Sequence, residues 1–60
     1  MTLAERILEY RAKYGISQRK MDLILGEKDG TVFRIESEKR KTRKANALRI
    51  SKKLDELEKN

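Results

Sequence analysis

Two glycines, Gly15 and Gly26, most constrain what this chain can fold into, because they bracket a segment only about two helical turns long. Ser17 is a good N-cap for that segment, and glycine favours the left-handed backbone that stops a helix. Two turns of helix are not stable alone in water, so the segment must dock against other elements. The sequence therefore predicts a small domain of short, packed helices.

The first helix is predicted to begin near Leu3, because Thr2 and Glu5 have the spacing of a capping box. It should end at Lys13 or Tyr14. Residues that recur every three or four positions give this helix one apolar stripe with an arginine in it: Leu3, Ile7, Leu8, Arg11 and Tyr14. The second helix is expected to turn Met21, Ile24 and Leu25 inward.

A last helix is predicted from about Arg43 or Ala45 to Leu57 or Glu58, with residues 58–60 as a frayed tail. Its apolar stripe consists of Ala47, Ile50, Leu54 and Leu57.

The segment from Thr31 to Ile35 has the composition of a strand and could form a β-hairpin with residues 23–25. A helix is favoured, because Val32 and Ile35 are three residues apart, as a buried helix face requires. Asp29 or Thr31 could cap that helix. We therefore expect an all-α domain of four to five helices over residues 1–60, and the hairpin remains the alternative.

Charge and composition limit the classes of function that this chain can have. The 60 residues carry 16 Lys and Arg against 10 Asp and Glu, for a net charge of +6. Eight of the cations lie between Lys39 and Leu54, a stretch without any acid: Lys39, Arg40, Lys41, Arg43, Lys44, Arg49, Lys52 and Lys53. Such a block is typical of a surface that binds a polyanion, although a solvated basic face has the same composition.

The chain is not expected to be an enzyme. It has no His and no Cys, which removes the commonest general base and the thiolate metal ligands, and its serines have no base beside them. We expect no cofactor and no metal. No apolar stretch approaches the roughly 20 residues of a membrane span, so a cytoplasmic protein without a membrane partner is expected.

The order of these features resembles the helix-turn-helix of the lambda-repressor and Cro family, at about residues 17–38. The resemblance covers roughly residues 3–57. Its first part is carried by Arg11, Gly15, Ile16, Ser17, Gln18, Met21, Leu25 and Gly26. Its second part is carried by Thr31, Val32, Arg34, Ile35, Glu36, the cations Lys39 to Lys41, and then Leu48, Ile50 and Leu54.

The resemblance implies a site on double-stranded DNA. Residues of the recognition helix would read bases in the major groove: Lys28, Asp29, Gly30, Thr31, Phe33 and Arg34. Phosphates would be held by Gln18, Arg19, Lys39, Arg40, Lys41, Arg43 and Lys44. Arg11 and Glu36 would form an internal salt bridge that ties the first helix to the third.

Some assignments have structural alternatives. Arg34 could pair with Glu38 one turn away, Phe33 could complete the core, and Gln18 could be a solvated polar residue. Asp22 lies where the family usually has a small residue, so the second helix would not pack closely on the third unless Asp22 rotates outward to a cation such as Arg19.

Glu27 lies where the family usually has an apolar residue. With Asp29 it would place two acids near the phosphates.

The sequence thus predicts a DNA-binding transcriptional regulator, a repressor of phage or mobile-element type, that forms a homodimer either in solution or only on DNA. Leu23, Leu54 and Leu57 are the expected dimer contacts. The alternative is a protein-interaction module, such as an antirepressor, an antitoxin or an accessory subunit, that keeps the fold but grips a protein partner through Leu23, Ile24 and the acidic turn.

Overall fold

A computed structural model describes residues 2–37 and 42–59 of the chain, and it contains four helices. These are α1 Leu3–Tyr14, α2 Gln18–Leu25, α3 Thr31–Ser37 and α4 Lys44–Glu58. The expected all-α class with four helices is confirmed. In the part of the chain that the structure describes there is no strand, so the hairpin alternative for residues 23–35 is wrong.

The start of α1 has the capping box that its sequence predicts. The hydroxyl of Thr2 accepts the backbone N–H of Glu5 at 3.2 Å, and the carboxylate of Glu5 accepts the backbone N–H of Thr2 at 3.0 Å. The hydrogen bond from the Thr2 backbone lowers the pKa of Glu5 below its usual value. Gly15 ends the helix in the left-handed region, and its N–H donates to the carbonyl of Arg11.

The core is formed by apolar side chains from all four helices. They are Ala4, Ile7, Met21, Leu25, Val32, Ile35, Ile50 and Leu54. Leu8, Tyr14 and Ile24 were expected to face inward, but all three are exposed. Ala4 lies in the core instead, because α1 turns the side of Ala4 and Ile7 toward the other helices.

The expected dimer contacts do not share one environment. Leu54 has no exposed surface and packs in the core, so its assignment as a dimer contact is corrected: a side chain that already fills the monomer core cannot also cover a partner. Leu57 packs against the same core and is half-buried. Leu23 alone of the three is open to solvent, with 68% of its surface exposed.

A polar link ties α1 to α4 at the edge of the core. The guanidinium of Arg6 donates to the hydroxyl of Ser51 at 2.8 Å and to carboxylate oxygens of Asp55 and Glu58 at 2.7 and 3.3 Å. The hydrogen bond with Asp55 raises the pKa of Arg6. Such partly exposed ion pairs each contribute little, so this link orients α4 rather than supplying most of the stability.

On α4, Leu54 is buried and Leu48 is exposed, so comparing the two substitutions tests the placement of Leu54 in the core. We expect Leu54→Ala to lower the free energy of unfolding by about 2–5 kcal/mol, because it leaves a cavity in the core. Leu48→Ala removes the same atoms from an exposed position and should change stability by no more than about 0.5 kcal/mol. Urea denaturation followed by circular dichroism measures both. A stable Leu54→Ala monomer that has lost only self-association would contradict this placement.

The capping box predicts a pH dependence. A carboxyl whose pKa is lower in the folded than in the unfolded state contributes stability above the unfolded value, and this contribution is lost as the pH falls through the folded value. Glu5→Gln should therefore be less stable than the wild type at pH 7, with the difference closing in acid. Thermal denaturation between pH 7 and pH 3 measures this, with Glu9→Gln on the same helix as control. A difference that stays constant across the range would exclude the charge as its cause.

Candidate nucleic-acid interface

The second and third helices are joined by a tight turn that follows Gly26. Gly26 has a positive φ of 68° and ends α2, with its N–H directed at the carbonyls of Asp22 and Leu23. The next N–H, of Glu27, also donates to the carbonyl of Asp22 at 2.9 Å. The chain then needs only residues 27–30 to reach the start of α3. The helix-turn-helix thus spans α2 and α3, close to the expected residues 17–38.

Asp22 holds the start of α3. Only 2% of its surface is exposed, and its two carboxylate oxygens accept the backbone N–H groups of Gly30 at 2.9 Å and Val32 at 2.8 Å. Asp22 therefore does not rotate outward to Arg19, because the free amides at the start of α3 offer it better partners. The hydrogen bonds that the expected cap of Asp29 or Thr31 would have made are supplied by Asp22.

Glu36 holds α3 to α1 and α2. Its side chain is nearly buried, and both of its oxygens lie 2.8 Å from Nη1 of Arg11. Arg11 also donates through Nε to the carbonyl of Ile16 at 3.1 Å, so the expected pair of Arg11 and Glu36 is present and also fastens the segment before α2. The amide of Gln18 donates to Glu36 at 2.8 Å. Gln18 is thus half-buried and not the solvated residue of the alternative interpretation.

The outer face of α3 carries Phe33 and Arg34. Phe33 is 59% exposed and Arg34 is exposed, so the alternative that Phe33 completes the core is wrong. Thr31 is the first residue of the helix and is half-buried. Lys28, Asp29 and Gly30 lie in the turn before α3, which corrects their expected position on the helix. Glu38, the alternative partner of Arg34, lies outside the described residues.

The starts of α2 and α4 are both basic. Arg19 is exposed in the first turn of α2, and Arg43 and Lys44 are exposed at the start of α4. The N-cap of α4 makes no side-chain hydrogen bond, and its first turn contains no acid. A helix start of this kind leaves backbone N–H groups and a partial positive charge for an anion. The expected phosphate ligands Lys39, Arg40 and Lys41 lie outside the described residues.

Two cations of the basic block form ion pairs within the domain. Arg49 and Lys53 reach back from α4 to Glu27, at 2.8 and 3.1 Å. Lys53 also donates to the carbonyl of Leu25 at 2.6 Å, which satisfies the carbonyl end of α2. The carboxylate of Glu27 is therefore paired with two cations of α4 and does not stand as an unopposed acid in the turn. Within the described part of the block, Arg49 and Lys53 thus have a structural role, whereas Arg43 and Lys44 stay exposed.

Comparison with known proteins decides the family. A family model described as "Helix-turn-helix" matches residues 7–58, which is most of the chain. This chain belongs to the helix-turn-helix family. The resemblance to the lambda-repressor and Cro type is thereby confirmed. No curated protein and no solved structure matches the chain at a significant level.

Membership gives this helix-turn-helix protein a general function, because the family consists of DNA-binding regulators. The exposed face of α3 and the basic starts of α2 and α4 are the features of this chain that suit a DNA surface. Among residues 2–37 and 42–59, no helix is long and apolar enough to cross a membrane. Within the same residues no group of three carboxylates is arranged to hold a metal ion.

Asp22 and Lys53 act in ways that sequence reasoning missed. Each bonds backbone groups at a helix end in another part of the chain, and no local spacing rule reports such a contact. One signal was present: Gly30, just before α3, has no side chain with which to cap it, so an acceptor was needed from elsewhere.

The internal pairing of Arg49 and Lys53 yields a prediction about salt dependence. We expect Glu27→Gln to release these cations toward DNA, which would steepen the slope of log K against log salt by up to roughly 0.9 for each cation that then meets a phosphate. Glu56→Gln makes the same change of charge at an exposed position on α4 and should leave the slope as in the wild type. Fluorescence anisotropy with a random duplex measures both. An equal change of slope in the two variants would mean that the change in net charge alone, and not the release of Arg49 and Lys53, alters the salt dependence.

Proposed function

We propose that this protein is a sequence-specific, double-stranded DNA-binding transcriptional regulator, a repressor of phage or mobile-element type, that reads the major groove with α3. The observation that carries the proposal is the exposed pair of Phe33 and Arg34 on a helix whose other sides are held by α1 and α2. A rigid, exposed helix face between basic helix starts suits base contact with phosphate contacts on either side.

Base contacts would come from α3 and from the turn before it. Arg34 would donate to the two acceptors of guanine, and Phe33 would pack on a thymine methyl group. Lys28 and Asp29 are exposed in the turn, where Asp29 could accept from a cytosine amino group. Thr31 and Gly30 would allow the backbone to approach the base edges closely, because neither has a large side chain.

Phosphate contacts would flank the recognition helix. The free backbone amides at the start of α2 would bind one phosphate, with Arg19 beside them and the remaining amide donor of Gln18. Arg43 and Lys44, at the open start of α4, would bind another, together with Lys39, Arg40 and Lys41. These contacts fix the protein on the duplex without reading its sequence.

A dimer is needed for useful specificity. A seven-residue helix is about 10 Å long and covers only about three base pairs. The domain measures 29 × 21 × 20 Å, so two copies fit side by side on half-sites about 34 Å apart. Leu23 is the best remaining candidate for the contact between copies, with Leu57 at the edge of the core as a second.

The rival proposal is a protein-interaction module. The exposed apolar side chains of Leu23 and Ile24 on α2 favour it, since they offer a surface that a protein partner could cover. Glu27 no longer supports it, because its charge is already paired with Arg49 and Lys53. Asp29 remains exposed in the turn.

Selection from a pool of random-core duplexes at rising salt concentration tests the leading proposal. We expect enrichment of a two-fold symmetric site. Weak, uniform binding that disappears with salt would refute sequence-specific recognition, and a salt-insensitive complex with a protein would then favour the rival.

Two cation variants separate base reading from phosphate binding. Arg34→Ala should weaken binding to the selected duplex by about 1–3 kcal/mol and relax its specificity, because a bidentate base contact is lost. Lys44→Ala should weaken selected and random duplexes alike and lower the salt slope by about one. Affinities for both duplexes at several salt concentrations measure this. Parallel losses on both duplexes for the two variants would contradict the assigned roles.

A further inference from the structure

We infer that Asp22 is a positioning residue for base recognition: its carboxylate sets how α3 lies on α2, and thereby how Phe33 and Arg34 meet the bases. The inference rests on the proposed function, because it concerns how that function distinguishes one DNA sequence from another. It goes beyond it by assigning specificity to a buried residue that would touch no base.

The start of α3 cannot cap itself. The N–H of Arg34 donates to the carbonyl of Gly30 at 3.0 Å, which makes Gly30 the N-cap of the helix. An N-cap residue normally uses its side chain to accept an N–H of the first turn. Gly30 has no side chain, and its φ of 89° lies where other residues are strained. The acceptor for α3 must therefore come from another part of the chain.

Asp22 supplies that acceptor from the middle of α2. One oxygen accepts the N–H of Val32, in the first turn of α3, and the other accepts the N–H of Gly30 itself. A capping box satisfies the same two kinds of donor with two side chains, as Thr2 and Glu5 do in α1. In α3 a single carboxylate does both, and its negative charge also suits the positive end of the helix.

This contact fixes the orientation of α3 as well as its stability. Two oxygens bind two different N–H groups, so both the distance and the rotation of α3 relative to α2 are constrained. An aspartate side chain has only two rotatable bonds, which leaves little freedom in the link. Rotation of α3 about its axis decides the directions of Phe33 and Arg34, so the same link sets the angle at which they project.

The other end of α3 is held differently. Glu36 meets Arg11 and Gln18 through long side chains, which can follow small movements of the helix. Asp22, by contrast, accepts hydrogen bonds directly from the backbone at the start of α3. In the proposed complex α2 is anchored on phosphates near Arg19, so Asp22 connects the anchored helix to the reading helix. Without it, the start of α3 could shift while its end stays attached.

The experiment compares Asp22→Asn with a matched control. Asn keeps the shape and one acceptor but turns an amide donor toward a backbone N–H. Arg6→Ala breaks a polar link of another helix pair, α1 and α4, and leaves α3 untouched. Affinities are measured for the duplex that the wild type selects and for a random duplex, at a temperature where circular dichroism shows each variant to be folded.

We expect Asp22→Asn to lower the ratio of selected to random affinity at least tenfold, with the random-duplex affinity and its salt slope unchanged. Arg6→Ala should keep the wild-type ratio. If Asp22→Asn does not fold, Asp22→Ala is used, since the family usually has a small residue at this position.

Two results would overturn the inference: a folded Asp22 variant with the wild-type ratio, or an equal loss of ratio in Arg6→Ala. Either would reduce Asp22 to a stabilising residue while leaving the proposed function intact. A wild-type protein that itself fails to distinguish duplexes marks a different failure, that of the proposed function, and the inference about Asp22 falls with it.

Discussion

A helix of seven residues cannot keep its shape in water by itself, and α3 is such a helix. Its structure therefore depends on groups outside it at both ends. Asp22 satisfies backbone donors at its start, and Glu36, near its end, is held by Arg11 and Gln18. Val32 and Ile35 add the apolar contact between these points. The exposed face of α3 is ordered because its buried face is fastened in three different ways.

The cations of the molecule fall into two groups, those that link helices and those that lie exposed. Arg6, Arg11, Arg49 and Lys53 each bridge elements that are distant in sequence, so these cations act as structural links. Arg19, Arg43 and Lys44 lie exposed at helix starts, where the backbone itself attracts anions. The count of 16 Lys and Arg thus overstates the cations that a polyanion would meet, and the net charge of +6 says nothing of where they lie. Placement, rather than total charge, distinguishes the proposed interface from the rest of the surface.

Much of the fold could be predicted because it depends on local rules. The capping box of Thr2 and Glu5, the stops at Gly15 and Gly26, and the spacing of Ile50 and Leu54 all act within one helix. The inner face of α1 was predicted less well, because Tyr14 and Leu8 fit the same period as Ile7 yet lie beyond the reach of the other helices. In a chain of 60 residues the core is thin, so an apolar stripe can be longer than the surface that covers it.

The sequence by itself determined the helical class, the helix-turn-helix order and the residues that begin and end α1 and α2, because these follow from backbone preferences and from spacing along the chain. Only the tertiary structure decided the surroundings of Asp22, Glu27 and Leu54. Asp22 was expected to disturb the packing of α2 on α3 unless it rotated outward, yet it lies buried and bonds to α3. Glu27 was expected near phosphates and pairs with α4, and Leu54 was expected at a dimer contact and fills the core. The physical reason is common to all three: a side chain takes the partner that folding brings within reach, and that partner can be far away in sequence.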